Sequence, residues 1–312
     1  MEKLIKDFKE GDRIQVDLLV NNVTKGVSNA GAPYLSVSLQ DNTGTIEGKK
    51  WDANDLDVIV TETGKVVKVF ADVISYRDNL QLKILQLDEV DQSRIDIFKF
   101  ALPSPVPQSE LVKKLNGYIQ SFKDDEIKLI VNHVLNKYYD KYITYPAASR
   151  NHHAFASGLL YHSLCMADVA SFVGKYYDDI NMDLLVASCL LHDVGKVIEL
   201  SGPIATKYTL EGKLLGHISI GVDEVRNACR ELNITSETGL LLEHMILSHH
   251  GEKDFGSPVP PLTKEAIILH TVDDLDSKMN IVSAALANVE EGEFTQRLLP
   301  LEGRAIYKPR KK

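Results

Sequence analysis

The stretch MDLLVASCLLHDVGK, residues 182–196, reads as an apolar helix ending on an adjacent His-Asp pair, His192 and Asp193. At a helix terminus the backbone is free to turn both side chains the same way. Nine of the chain's ten histidines lie between positions 152 and 270. Five of them form an ordered series with two aspartates: His162, His192-Asp193, His217, His249-His250 and Asp273. Successive clusters are 23 to 32 residues apart, each within or at the end of a segment that reads as helical. Taken singly, His162 reads as a hydrogen-bonded core residue and Asp193 as a cap for the following turn. The His249-His250 pair alone reads as a helix-end pair, where the dipole tolerates imidazolium. Together, five imidazoles and two carboxylates would each need a separate buried partner. One shared divalent-metal site satisfies them all.

The surrounding chain has room for two domains in its 312 residues. Its composition, 44% hydrophobic and 25% charged, is that of an ordinary globular protein. The opening MEKLIKDFKEGD lacks the apolar core of a signal peptide. No stretch approaches the roughly 18 apolar residues of a membrane span, so a cytoplasmic protein without membrane contact is expected. Cys165, Cys189 and Cys229 lack CxxC spacing and read as buried free thiols. A net charge of −9 argues against coating nucleic acid by bulk electrostatics. The KPRKK end, 308–312, reads as a solvated, disordered tail, with contact to a polyanion as the alternative.

The first ninety residues read as strands: Arg13 to Val23, Tyr34 to Gln40, Thr45 to Trp51, Val66 to Ile74 and Leu80 to Leu87. Turns are expected at Asp41–Gly44 and at Arg77–Asn79, with a short helix near Asp52 to Val60. Five strands with that insertion predict a small Greek-key barrel of the OB type. ALPSPVPQSE, 101–110, places three prolines in seven residues and marks a linker. Ser109 is placed to cap a helix running to Phe122. Further helices are expected over Asp125–Tyr139, Ser157–Tyr176, Met182–His192, His217–Leu232, Ser236–His250 and Lys264–Asn288, with Gly251 just past a helix end. The predicted fold is therefore multidomain: an all-β OB-type barrel (1–95), a linker (96–110), an all-α helical bundle (111–295) and a basic tail (296–312).

The helical part resembles the HD-domain superfamily of metal-dependent phosphohydrolases, on HDVGK, the upstream His162 in GLLYHSL and the acidic VDDLD. The resemblance implies that His162, His192, Asp193 and Asp273 hold one metal. It implies that His217, His249 and His250 hold a second, with Asp193 shared. Asp274 and Asp276 are adjacent candidates for the last carboxylate, and superfamily register favours Asp273. The ligand types suit Mn²⁺, Fe²⁺, Co²⁺ or Zn²⁺. Two such cations about 3.5–4 Å apart can ionise a bridging water and stabilise attacking and leaving oxygens. Lys196 is a candidate to neutralise a phosphate oxygen, against an exposed helix-end charge. Arg150, His152 and His153 lie within twelve residues of His162, and one of them, with His153 as the catalytic candidate, is expected to contact phosphate or protonate a leaving group, against a purely structural role. The loop Gly251 to Pro261, with Ser257, is expected either to wall the pocket or to act as a passive turn.

In the barrel, Tyr34, Trp51, Phe70 and Tyr76 offer stacking faces, and Lys49, Lys50, Arg77 and Lys83 offer cations for a single strand. The alternative is a structural or oligomerising barrel, since residues 1–100 carry 17 acids against 13 bases. TKGVSNAGAPYLSVSLQDNTGTIEGKKWD, the proline-containing linker, PAASRNHHAFASGLLYHSL, HDVGK and SHHGEKDFGSPVPP together resemble the bacterial YhaM family of 3′→5′ exoribonucleases. That resemblance implies two Mn²⁺ ions and hydrolysis of single-stranded RNA, and of single-stranded DNA in some members. It also implies release of nucleoside 5′-monophosphates in the cytoplasm. Two other readings remain open: a phosphodiesterase or nucleotidase for small nucleotides, and a non-catalytic single-strand binder on an HD scaffold.

Overall fold

The computed structural model describes residues 3–28, 31–77, 79–148, 155–204, 206–287 and 289–311. It divides into two compact units, Met1–Pro105 with Gly202–Thr206, and Val106–Ser201 with Lys207–Lys312.

The first unit is a closed barrel of β1 (Arg13–Val27), β2 (Pro33–Asp41), β3 (Gly44–Trp51), β4 (Val66–Tyr76) and β5 (Asn79–Glu89). The strand order is β1-β2-β3-β5-β4, with β4 pairing back onto β1. Among the described residues only the β3–β5 pair is parallel, which is the OB arrangement anticipated from the strand spacing. Alternation supplies the core: Leu35, Val37, Leu39, Ile46, Val69, Val73 and Leu82 all point inward. Asp41 ties the β2–β3 turn by accepting from the Thr43 and Gly44 amides at 2.7 and 3.2 Å. The anticipated short helix, α1 (Asp55–Val60), lies between β3 and β4 and begins with an Asn54–Asp57 capping box.

The second unit is helical: α2 (Gln108–Ser121), α3 (Asp125–Lys137), α4 (Tyr139–Thr144), α5 (Gly158–Gly174), α6 (Met182–Leu191), α7 (Lys196–Glu199), α8 (Leu210–Glu231), α9 (Glu237–Ser248) and α10 (Lys264–Ala287). The residue capping α2 is Pro107 rather than Ser109, which lies inside the first turn. Proline fixes an extended entry there and lacks the amide that a helix start leaves unpaired. The short α4 and α7 escape a periodicity reading, because four to six residues do not span two turns. From Leu184 to Leu191, α6 is buried on every side. A helix apolar all round belongs at the centre of a bundle, so its C-terminal end carries His192-Asp193 into the middle of the unit.

The chain leading into the basic end is paired back on itself, and Lys308 is fastened while Pro309, Arg310 and Lys311 are exposed. Thr295 and Ile306, Leu298 and Arg304, and Gly292 and Lys308 pair through their backbones. Lys308 Nζ donates to the carbonyls of Leu286 and Val289 at 2.9 and 2.6 Å. A cation placed on carbonyls at the end of a helix offsets its dipole. Cys189 and Cys229 are buried free thiols, as expected, while Cys165 is partly exposed.

Candidate metal centre

Five chain segments deliver the site. His192 follows the last residue of α6, and Asp193 lies in the turn before α7. His162 lies on α5, His249-His250 follow α9, and Asp273 lies on α10. His217 comes immediately after Gly216, whose φ of 71° breaks α8 in two. The His217 amide, freed by that break, donates to Glu199 Oε1 at 3.1 Å. Glycine is the residue that tolerates this positive φ.

These groups converge on Asp193. Its Oδ2 faces His192 Nε2 at 3.3 Å and His162 Nε2 at 3.8 Å. Its Oδ1 faces His217 Nε2 at 3.4 Å and His249 Nε2 at 3.9 Å. Asp273 Oδ1 completes the first set, 3.2 Å from His162 Nε2. His250 joins the second, with donor atoms of His217, His249 and His250 all within 4.8 Å of one another. Asp274 instead pairs outward with Lys278 at 2.7 Å.

The far nitrogens explain why each ring points this way. Nδ1 lies 3.0 Å from the Cys189 carbonyl at His192, 2.7 Å from Ile246 at His249 and 2.6 Å from Phe255 at His250. At His217 and His162 the neighbours are carboxylates, Glu199 at 3.2 Å and Asp276 at 2.7 Å. Carbonyls and carboxylates only accept, so Nδ1 carries the proton in all five rings and Nε2 faces the centre.

The electrostatics follow from this packing. Burial opposes charge on Asp193. Lys196, with Nζ 2.6 Å from Oδ2, and the rings of His192 and His217 outweigh it and hold the carboxyl well below its ordinary range. Burial, with His192 and His250 nearby, pushes His249 far below the usual imidazole value, and burial lowers His250 as well. Burial also disfavours imidazolium at His162, but hydrogen bonds to Asp273 and Asp276 prevail and raise it to about 9. A proton and a cation therefore compete for His162 Nε2.

The donors fit a divalent cation. Asp193 Oδ1, His217 Nε2 and His249 Nε2 are buried without hydrogen-bond partners, a condition costing about 1–3 kcal/mol per atom. All three face the same space, and cation coordination would satisfy them together. Mixed imidazole and carboxylate donors suit first-row divalent metals. Glu199 and Asp276 orient opposite ends of this centre: Asp276, an adjacent candidate for the last carboxylate, bonds the Nδ1 side of His162, and no spacing rule singles out Glu199. Losing an outer partner typically costs about 10–100-fold in metal affinity. Glu199→Gln should weaken the His217 end and Asp276→Asn the His162 end by that order. Mn²⁺ titration calorimetry should show different sites affected; equal affinities in both variants and the parent would remove them from the centre.

Beside the centre is a cavity of about 760 Å³, lined by His217, His250, Asp273, Lys196, Tyr208 and Phe255, and by residues between 299 and 304. Lys196 is thus inward and paired, not an exposed helix-end charge. Phe255 makes the Gly251–Pro261 loop part of the wall, while Ser257 is buried and accepts from the His250 amide at 3.0 Å. Gly251 has φ 81°, and a Cβ there would lie 2.4 Å from the His270 ring. Arg150, His152 and His153 lie outside the described residues.

In the barrel unit, β2–β3 register sets Tyr34 opposite Trp51, with ring centroids 5.0 Å apart. Lys49 Nζ sits 4.6 Å from the Tyr34 centroid and 5.6 Å from that of Trp51. Lys83 is the register partner of Lys49 on β5. Gly26 makes room for this platform, because a Cβ there would meet the Tyr34 ring at 2.4 Å. Arg77 stands apart in the β4–β5 turn, 5.3 Å from the Tyr76 centroid. Lys50 does not join the platform. One residue from Lys49, it points to the opposite face and sits 3.8 Å from Asp57.

Among solved structures, the second OB-fold domain of replication protein A from Methanococcus maripaludis is 19% identical to this chain. The match covers 29% of this chain and 96% of that one, with a TM-score of 0.25. Residues 159–278, which carry every converging histidine and aspartate described above, match the HD domain. The barrel is thus followed by an HD domain, of a family of metal-dependent phosphohydrolases.

Proposed function

We propose that the protein is a metal-dependent 3′→5′ exoribonuclease that shortens single-stranded RNA and releases nucleoside 5′-monophosphates. The observation that carries this reading is Asp193, whose two oxygens face two separate sets of imidazoles. In it, His162, His192, Asp193 and Asp273 hold one divalent cation, and His217, His249, His250 and the shared Asp193 hold the other, with Mn²⁺ as the metal. When bound, such a pair lowers the pKa of water and neutralises a phosphodiester. The chain's own residues do the rest. Carbonyls and carboxylates behind the five rings hold every Nε2 inward. Lys196, on the cavity wall, balances charge gathering on phosphate oxygens. The P–O3′ bond breaks, the water oxygen joins phosphorus, and the shortened strand keeps a 3′-hydroxyl.

The barrel favours a polymer over a small nucleotide. Tyr34, Trp51 and Lys49 combine two ring faces with a cation, and Lys83 extends the charge along the strand order. Stacking a base on such a ring is worth about 1–3 kcal/mol. With 5′-labelled single-stranded RNA and Mn²⁺, the expected result is a ladder shortening from the 3′ end. Internal cuts or intact RNA would refute the reading. Trp51→Ala should raise KM for that RNA roughly tenfold. An unchanged KM would favour the small-nucleotide phosphodiesterase.

A further inference from the structure

The residues between 299 and 304 lie beyond the 159–278 match, yet they line the cavity at the metal centre. This wall is firmly built. Leu301 is buried, the Leu298 and Arg304 backbones pair, and Lys308 fastens the returning strand to the end of α10. The 3₁₀ turn Leu299–Leu301 nonetheless holds Leu299 out, 85% exposed. Arg304 Nε donates to the Leu301 carbonyl at 3.0 Å, which fixes the guanidinium plane. The nearest carboxylate to its terminal nitrogens, Glu302, is 3.6 Å away. Lys278, also on the cavity, is already committed to Asp274 at 2.7 Å.

The cavity is therefore lined by two unlike kinds of group. The centre supplies the groups that take a phosphate. Elsewhere in the lining, Tyr208 and Phe255 bring rings, Leu299 and Pro300 bring apolar surface, and Arg304 brings a flat cation. Groups suited to a phosphate together with groups suited to a planar, partly apolar, acceptor-rich ring describe a nucleotide. Guanidinium planes and aromatic rings both stack on bases. A volume of about 760 Å³ falls within the range of small-ligand pockets, about 300–1,000 Å³.

We propose that this cavity is a subsite for the terminal nucleotide, and that the C-terminal hairpin, through Leu299 and Arg304, holds its base. The proposal rests on the exonuclease reading for its place in the reaction, but its binding test does not depend on cleavage. The test compares AMP with ribose 5-phosphate, which shares the phosphate and sugar but lacks the base, on the Mn²⁺-loaded full chain by calorimetry. Wild-type protein should bind AMP about tenfold or more tightly than ribose 5-phosphate, the scale of a stacked base. Leu299→Ala and Arg304→Ala should each shrink that ratio severalfold, with Tm and Mn²⁺ stoichiometry verifying the fold. Equal binding of the two ligands by wild type, or an unchanged ratio in both variants, overturns the proposal. If the ratio behaves as expected while labelled RNA stays intact, the exonuclease reading fails and the nucleotide subsite stands. If RNA shortens but the ratio is one, the subsite alone fails.

Discussion

Asp193→Asn should abolish phosphodiester hydrolysis and leave the protein unable to retain two Mn²⁺ ions per chain. The reason lies in what each oxygen faces. Oδ2 looks toward His162 and His192, and Oδ1 toward His217 and His249. An asparagine keeps one acceptor oxygen and puts an NH₂ where the other was, so at most one set retains its oxygen donor. It also removes the negative charge beside Lys196, 2.6 Å away. The loss should exceed the roughly 10–100-fold cost of disturbing an outer partner. His192→Ala should likewise abolish cleavage, with RNA binding by the barrel retained in both variants. Activity near the parent's in either would mean the ligands are wrongly assigned. Metal analysis after gel filtration, beside an unfolding curve, separates a lost site from a lost fold.

The second large effect is expected at Gly195, between Asp193 and α7. A Cβ there would meet the His217 carbonyl oxygen at 2.0 Å, its carbon at 2.8 Å and the Gly221 nitrogen at 2.9 Å. All three are backbone atoms of α8, so no side chain can swing aside to relieve the clash. Gly195→Ala must push α7 away from α8, and His217 moves with it. Overpacking of this kind costs about 1–3 kcal/mol or more, and each kcal/mol shifts Tm by about 2–4 °C in a unit of this size. The expected outcome is a lower Tm together with weakened Mn²⁺ binding at the His217 end. An alanine variant with the parent's Tm and metal affinity would mean that the α7–α8 approach is not as close as described.

The sequence revealed the centre because His192, Asp193, His217, His249 and His250 lie at helix ends and breaks, and with His162 and Asp273 they follow an order that only convergence explains. His192 and His249 each bond the carbonyl three residues earlier, a local arrangement available to histidines at helix termini. The other histidines show why counting alone would mislead. His244 accepts from the Leu262 amide, and His270 contacts the His249 carbonyl. Glu199 went unnoticed because orienting a ring requires nearness in space and it belongs to no motif, while Asp276 stood in VDDLD as a candidate ligand and instead meets His162 Nδ1. Lys50 was legible: strand alternation from Lys49 and Trp51 already puts it on the other face. The C-terminal hairpin was not. It has no sustained periodicity, and its hold on α10 depends on Lys308 reaching carbonyls about twenty residues earlier.

The claim beneath the rest is that one carboxylate joins two cation sites. Anomalous diffraction from crystals grown with Mn²⁺ tests it most directly. Two peaks should appear about 3.5–4 Å apart, one on each side of Asp193, the first bounded by His162, His192 and Asp273 and the second by His217, His249 and His250. No peak, a single peak, or two peaks not sharing Asp193 would contradict the account.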